Sequence, residues 1–212
     1  MQFPLLFTDG IHVLLITIVA LISGFILWRP LFYSAFIFLI FSFYFFRNPA
    51  RCNPDALHNP HLILAPADGK VIAVTHDTLD AQEYAYRISI FLSVWDVHIN
   101  WTPIAGTIEN IHYRPGTFTL AWLSKSAQEN ERNELQIKSD NGNSILVRQI
   151  AGTIARKISC WVKPHERLEV CQKIGMIRFG SRVDLFLPAH VKILVAEGDR
   201  VVGGATVVAE FM

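Results

Sequence analysis

LQIKSDNGNSILVRQI, residues 135–150, is the stretch that decides the fold of this 212-residue chain. At its centre, Asn141-Gly142 is the dipeptide that tight hairpin turns favour, because both residues tolerate a positive φ. The turn separates residues 135–139 from residues 145–150, and apolar side chains recur in both runs. The stretch therefore predicts two antiparallel strands joined by a tight turn.

Similar short apolar runs, broken by Gly, Pro, Asp and Asn, continue on both sides of this hairpin. Further strands are predicted over residues 87–92, 191–195 and 207–211, and one helix is predicted over residues 118–133. In the first of these strands, Ile88, Ile90 and Leu92 share one face. Residues 63–212 are therefore predicted to form a mainly β domain, a compact barrel or sandwich of short strands with lipoyl-like elements.

The first 46 residues have a different composition, because Asp9 and Arg29 are their only formal charges. Two apolar runs, residues 11–28 and 31–46, would span about 27 and 24 Å as helices, against about 30 Å for a bilayer core. Neither run has a polar face, so residues 1–46 are predicted to be a hydrophobic helical membrane anchor. Two arrangements remain open: a pair of short spanning helices, or a hairpin or tilted helix set in one leaflet.

A Pro- and Asn-rich linker, residues 47–62, follows the anchor. Arg47 and Arg51 lie directly after the second apolar run, and the positive-inside rule assigns such a flank to the cytoplasm. The predicted location is therefore the cell membrane, with the catalytic domain on the cytoplasmic side.

Composition and motifs exclude several classes of function. A net charge of +1 gives no basic stripe for nucleic acid. His58 and His61 lie in the linker with no helix to align them, so no metal site is predicted. Phosphate-binding glycine loops are missing, and so is the Gly-x-Ser-x-Gly turn of α/β-hydrolases.

The three cysteines, Cys52, Cys160 and Cys171, show no Cys-x-x-Cys spacing. An odd number of cysteines without a metal or redox motif predicts reduced thiols, as in a cytoplasmic protein.

Gly180-Ser181 is the strongest chemical candidate in the chain. A glycine carbonyl is not shielded by a side chain, so the hydroxyl of the following serine can attack it and convert the amide into an ester. Elimination of the ester leaves a dehydroalanine, which hydrolyses to a pyruvoyl group. Such a ketone is an electron sink for an amino-acid substrate, a task that usually falls to a bound cofactor.

This scission needs a base for the Ser181 hydroxyl and a group that orients the base. His98 is the best base, because alternation predicts that it shares a polar face with Asp96 and Asn100, opposite Val97, Ile99 and Trp101. Asp68, in the turn sequence Asp68-Gly69, is a candidate for orienting His98. Spacing leaves Asp96 and Asp184 open as alternatives.

These pieces resemble the short-form phosphatidylserine decarboxylase proenzymes. The resemblance covers most of the chain from about residue 47 and rests on five motifs: residues 66–71 (PADGKV), 91–93 with 96–100 (FLS, DVHIN), 130–133 (NERN), 150–152 with 155–156 (IAG, AR), and 175–184 (GMIRFGSRVD).

The resemblance implies a zymogen that cleaves itself between Gly180 and Ser181 into chains 1–180 and 181–212. The two chains would stay together as a heterodimer, and two such heterodimers could associate. It implies a self-processing set of Asp68, His98 and Ser181, with a covalent pyruvoyl cofactor derived from Ser181.

The activity that the resemblance implies is decarboxylation of phosphatidylserine to phosphatidylethanolamine and CO₂ through a Schiff base, in phospholipid biosynthesis at the lipid bilayer. Arg178 and Arg182 flank the cleavage site and are candidates for binding the substrate carboxylate or phosphate. The chain departs from some longer members of the family, which carry a second histidine where this chain has Trp101. His98 is therefore expected either to serve both cleavage and decarboxylation or to need help from another group.

Two other functions stay open. A membrane-anchored serine peptidase could use the same three side chains on another protein, and a lipoyl-like, membrane-tethered module could bind without catalysis. Both predict an intact chain of 24.0 kDa.

Overall fold

The computed structural model describes residues 9–76, 84–117, 130–152, 157–178 and 181–212. The chain forms two compact units, residues 1–50 and residues 51–212. Among the described residues, the first unit is helical, and the regular structure of the second consists of strands apart from one turn of 3₁₀ helix. The prediction of a mainly β domain is therefore confirmed.

The first unit contains helix α1 (Ile11–Leu27) and helix α2 (Arg29–Phe45). Trp28 between them is extended, so the chain breaks next to the predicted point, and Pro30 occupies the first turn of α2, where no backbone N–H is needed. The helices pack closely beside the break, since a Cβ on Gly24 would lie 2.3 Å from the backbone nitrogen of Phe32.

Each of these helices has 17 residues. Within the part of the chain that the structure describes, no helix is both long enough and apolar enough to cross a membrane. The structure therefore does not support the spanning form of the predicted anchor.

The second unit is organised around an eight-stranded antiparallel sheet. In spatial order its strands are β13 (Arg200–Val201), β2 (Gly69–His76), β3 (Tyr86–Leu92), β11 (Ser181–Leu187), β7 (Ser144–Ile150), β6 (Arg132–Lys138), β5 (Gly106–Arg114) and β9 (Arg167–Leu168). Strand β11 lies in the middle, with seven residues paired to β3 and five paired to β7. It is therefore held by backbone hydrogen bonds on both sides.

Two three-stranded antiparallel sheets complete the second unit. One consists of β4 (Ile99–Trp101), β10 (Lys173–Ile177) and β8 (Ile158–Cys160), with β10 in the middle. The other consists of β1 (Leu62–Leu64), β14 (Val207–Phe211) and β12 (Val191–Ile193), with β14 in the middle. One turn of 3₁₀ helix, Asp55–Leu57, precedes β1.

Most of the predicted strands are confirmed. The hairpin forms between β6 and β7, and Gly142 in its turn has a φ of 86°. Ile88, Ile90 and Leu92 are all buried on β3, as their alternation predicts. The two C-terminal strands are β12 and β14, which pair with each other.

Two local predictions need correction or fall outside the described residues. Residues 118–129 of the predicted helix are outside the described ranges, and its last residues, Arg132 and Asn133, belong to strand β6. The extended segment predicted around His98 is interrupted by a turn at residues 94–96, and the following strand begins only at Ile99.

The prediction that all three cysteines are reduced is wrong. Cys52 and Cys171 form a disulfide although they are 119 residues apart in sequence, and Cys160 is free and exposed. Spacing along the chain could not reveal this pair, because the fold alone brings its Cα atoms to 5.2 Å. The bond ties the beginning of the second unit to the turn before β10.

We expect Cys52→Ser to lower the free energy of unfolding by about 2–4 kcal/mol, because a disulfide that closes a long loop restricts the unfolded chain. Urea unfolding of the full chain measures this change. Cys160→Ser is the matched control and should leave stability unaltered. Alkylation of intact cells before lysis should detect one free thiol per chain, and three would contradict the bond.

Candidate active site

Ser181 is the first residue of β11 and its side chain is fully buried. Its Oγ has no hydrogen-bond partner among the described residues. A buried hydroxyl without a partner costs about 1–3 kcal/mol, so the position of Ser181 calls for an explanation. Gly180, the other half of the predicted cleavage site, lies outside the described residues.

The register of the sheet defines the surroundings of Ser181. Leu92 is directly opposite Ser181 on β3, and Gln149 is directly opposite Val183 on β7. Directly paired residues point to the same face of a sheet, and so do residues two apart on one strand. Ser181, Leu92 and Gln149 therefore share one face, which also carries the apolar core.

His98 directly precedes β4 of the neighbouring small sheet and is fully buried. Its backbone carbonyl accepts a hydrogen bond of 3.2 Å from the nitrogen of Ile177, so His98 lies beside the strand that leads to the cleavage site. Its Nδ1 is 3.0 Å from the backbone oxygen of Asp96. A carbonyl oxygen can only accept, so Nδ1 carries the proton and Nε2 of the neutral ring is the basic nitrogen.

The turn before His98 is fixed by the Asp96 side chain. Its carboxylate accepts hydrogen bonds from the nitrogen of Ser93, at 2.8 Å, and from the Ser93 hydroxyl, at 2.7 Å. Arg200 also pairs with this carboxylate. Asp96, which spacing left open as an alternative, therefore orients His98 through its backbone, while its side chain holds the turn.

Asp68 is buried, but its partners are not the predicted ones. Its Oδ1 accepts a hydrogen bond of 2.8 Å from the nitrogen of Gly203 and one of 2.6 Å from the Arg51 guanidinium. Arg51 also lies over the ring of Trp101. Neither of the two groups bonded to Asp68 is His98, so an orienting role for Asp68 stays a prediction.

Asp184 and Arg182 occupy the opposite face of β11 from Ser181. They form a buried ion pair with distances of 2.6 and 3.0 Å, and Arg182 also donates to the hydroxyl of Ser89. Asp184 is thereby engaged away from His98. Binding of a substrate by Arg182 stays a prediction, and it would require this ion pair to open.

Arg178, the second predicted substrate-binding residue, follows β10. Its Nη2 is 3.4 Å from the hydroxyl of Ser159, and its side chain is half-buried. It lies three residues before Ser181 in the chain, so it remains a candidate for contact with substrate.

Lys173, the first residue of β10, has its pKa lowered by burial and by the nearby Arg51 guanidinium.

Trp101, which stands where some longer members of the resembled family carry a second histidine, is fully buried. Its ring packs against Gly203, where a Cβ would come within 2.5 Å of the indole. Alternation along β4 directs Trp101 to the face opposite Asn100. Position 101 therefore contributes to packing and not to the face that bears Asn100.

A chain of buried amides was missed by the sequence analysis. Asn133 donates from Nδ2 to Oε1 of Gln149 at 2.9 Å, and Gln149 donates from Nε2 to Oδ1 of Asn100 at 2.7 Å. Gly175 makes room for this chain, since a Cβ there would lie 3.0 Å from the Gln149 nitrogen. The sequence did contain one indication of this network. Asn133 lies two residues before Leu135, so alternation along β6 directs its polar side chain to the same buried face.

This amide chain links the two sheets that carry the candidate residues. Asn100 belongs to the small sheet, in the strand that directly follows His98, whereas Gln149 belongs to the large sheet with Ser181. Their hydrogen bond places the face of β4 that bears Asn100 against the face of the large sheet that bears Ser181. The predicted nucleophile therefore begins a strand whose core face meets the strand that follows the predicted base.

Fold and site together define a β domain that buries the hydroxyl and the imidazole that acyl-transfer enzymes use. The family model for phosphatidylserine decarboxylase matches residues 38–209. The chain therefore belongs to the phosphatidylserine decarboxylase family, and the reaction of that family is a decarboxylation.

We expect Asp68→Asn to lower the free energy of unfolding by about 1–2 kcal/mol, because Arg51 and the Gly203 nitrogen lose a charged acceptor. Arg51→Gln is the matched variant, and the double variant should be less destabilised than the sum of the two, as urea unfolding can measure. Additive effects would contradict the coupling. A loss of activity much greater in Asp68→Asn than in Arg51→Gln would instead support the orienting role.

Proposed function

We propose that this protein decarboxylates phosphatidylserine to phosphatidylethanolamine and CO₂ after cleaving itself between Gly180 and Ser181. The observation that carries the proposal is the unpaired, buried hydroxyl of Ser181 at the start of the central strand, within the motif of a decarboxylase family. The pyruvoyl cofactor that the motif implies fits this position, because residue 181 would become the new N-terminus of a strand held on both sides.

The cleavage uses two side chains of the protein. Oγ of Ser181 attacks the carbonyl carbon of Gly180, and Nε2 of His98 takes the hydroxyl proton. The C–N bond then breaks, and the same proton passes to the leaving nitrogen of residue 181. A base then removes the α-proton of residue 181 and the Cβ–Oγ bond breaks, so that the oxygen leaves with the Gly180 carboxylate and residue 181 becomes a dehydroalanine. Water adds to the imine tautomer of this residue, and ammonia leaves as the new terminus forms.

The pyruvoyl group supplies a ketone that accepts the electrons left behind when the substrate loses CO₂. The protein must then return a proton to the substrate carbon. His98 is the proposed donor, because its Nδ1 is fixed by the Asp96 carbonyl and its Nε2 is the nitrogen that can exchange protons.

The sheet topology supports a stable complex of the two fragments. Chain 181–212 contains β11, β12, β13 and β14, and three of these strands pair with strands of chain 1–180. Strand β11 lies between β3 and β7, β13 pairs with β2, and β14 pairs with β1. Scission at residue 180 leaves all of these pairings in place.

We expect the wild-type protein to separate on a denaturing gel into chains 1–180 and 181–212, while Ser181→Ala remains a single chain of 24.0 kDa. The small fragment separates even without reductant, because both disulfide cysteines lie in the larger chain. In native gel filtration the fragments should elute together.

Ser89→Ala is the matched control, since Ser89 is an equally buried serine on the neighbouring strand β3. It should cleave normally. A wild-type protein that stays intact and decarboxylates phosphatidylserine would overturn the self-cleavage, and an intact, inactive one would favour a peptidase or a binding module.

We also propose that the helical unit attaches the enzyme to the cell membrane from one side. Large apolar side chains are exposed on both helices: Leu15, Ile16, Ile18, Val19, Ile22, Phe25, Ile26, Leu27, Tyr33, Phe36, Ile37, Phe38, Ile40, Phe43 and Tyr44. An apolar surface of this extent indicates contact with a membrane or another protein. Because the substrate is a lipid, confinement to the bilayer would keep enzyme and substrate together.

Two features of the chain bear on the side of the membrane at which the second unit lies, and they oppose each other. Arg47 and Arg51 predict the cytoplasmic side. The disulfide between Cys52 and Cys171 is typical of oxidising compartments and argues against that side.

Ile16→Lys combined with Ile26→Lys should weaken flotation of the full chain with phospholipid vesicles, because both side chains are 70% exposed on α1 and a charge opposes their burial in lipid. Leu57→Lys is the matched control, since Leu57 is 58% exposed in the second unit. Equal flotation of all variants would contradict the proposed attachment.

A further inference from the structure

The amide chain ends in a donor without an acceptor. Asn100 accepts from Gln149 through Oδ1, and its Nδ2 has no hydrogen-bond partner among the described residues. Asn100, Gln149 and Asn133 are all buried, the first two completely. Because Gln149 donates its hydrogen bond to Oδ1 of Asn100, the NH₂ group of Asn100 is the unpaired end of the amide chain.

This unpaired donor faces the side of the large sheet that carries the unpaired Ser181 hydroxyl. Asn100 follows His98 by two residues in the chain, and its hydrogen bond to Gln149 holds it over the sheet face that Ser181 shares. Two buried polar groups without partners in one region are expensive for a resting protein, since each loses its hydrogen bonds to water. Such a cost is understandable where a reaction supplies the missing partner.

Cleavage at Gly180-Ser181 creates an acceptor of this kind. When Oγ of Ser181 bonds to the carbonyl carbon of Gly180, the π electrons of the C=O bond move to its oxygen, while His98 takes the hydroxyl proton. The resulting oxyanion collapses when the C–N bond breaks. Donors fixed in advance around such an oxygen stabilise the transition state more than the starting amide.

We propose that Nδ2 of Asn100 is the hydrogen-bond donor for the oxyanion formed at the Gly180 carbonyl, and that Gln149 and Asn133 are positioning residues that hold its amide in this orientation. The inference rests on the proposed self-cleavage and assigns that step a group beyond Ser181, His98 and Asp68.

The test follows the first-order rate of cleavage of the full chain after cell-free synthesis, with fragments separated on denaturing gels. Asn100→Ala should slow cleavage by about 10²–10³-fold, the usual effect of losing one such donor. Asn100→Asp should be slower still, because it keeps the size and the Gln149 contact but places an oxygen beside the oxyanion. A purely structural role predicts the reverse order, since the aspartate preserves packing better.

Gln149→Met tests the positioning role. It should slow cleavage less than Asn100→Ala, and the double variant should be no slower than Asn100→Ala alone, because both changes act through one donor. Thr102→Val is the matched control: Thr102 is buried two residues beyond Asn100, and its hydroxyl is occupied by the Ile104 carbonyl. Thermal unfolding of every variant in the uncleaved Ser181→Ala background separates a loss of fold from a loss of rate.

The outcomes separate this inference from the proposed function. If the wild type cleaves and Asn100→Ala cleaves equally fast, the inference is wrong and the proposed function stands. The same holds if Asn100→Ala cleaves normally and only decarboxylation is lost, or if Asn100→Asp is the faster of the two. If the wild type does not cleave, both are wrong.

Discussion

The backbone ladder that holds β11 between β3 and β7 is the constraint on which the rest of the site depends. Ser181 begins this strand, while the preceding strand, β10, belongs to a different sheet. The candidate scissile bond directly precedes this strand. If it breaks as proposed, β11 would remain paired with β3 through residues 182–187 and with β7 through residues 182–186, so a self-cleaving chain could keep its fold. The same ladder would hold the new terminus at the start of β11.

The polar groups of this region are expensive in a core that is otherwise aliphatic. Asn133, Gln149 and Asn100 offset most of the cost by bonding to one another across two layers, and Gly175 provides the space that they need. The cost that remains falls on Nδ2 of Asn100, at the end of this network, and on Oγ of Ser181, which lies outside it. A core that only needed stability would place apolar side chains here, and departures of this kind are expected where a protein performs chemistry.

Much of the fold could be predicted because it depends on local periodicity. The hairpin at Asn141-Gly142, strand β3 and the two C-terminal strands follow from alternation and turn chemistry within a few residues. What could not be predicted concerns contacts between distant parts of the chain. The turn before His98 is held partly by Arg200, Asp68 is held by Gly203, and the disulfide joins cysteines that are 119 residues apart. Periodicity carries no information about such partners, so the site residues could be chosen by type and motif while their contacts could not.

The contacts of His98 restrict how one imidazole could serve two reactions. Its Nδ1–H is committed to the Asp96 carbonyl, so only Nε2 can exchange protons in the proposed mechanism. In cleavage this nitrogen first accepts the Ser181 proton and then gives it to the leaving amine, which returns the ring to its neutral form. In decarboxylation it must begin protonated and donate to carbon. With Trp101 directed to the other face of β4, the two proposed reactions would use the same nitrogen in opposite protonation states. Nε2 of His98 would therefore have to take up a proton after cleavage, and again in each turnover, before it could donate to carbon.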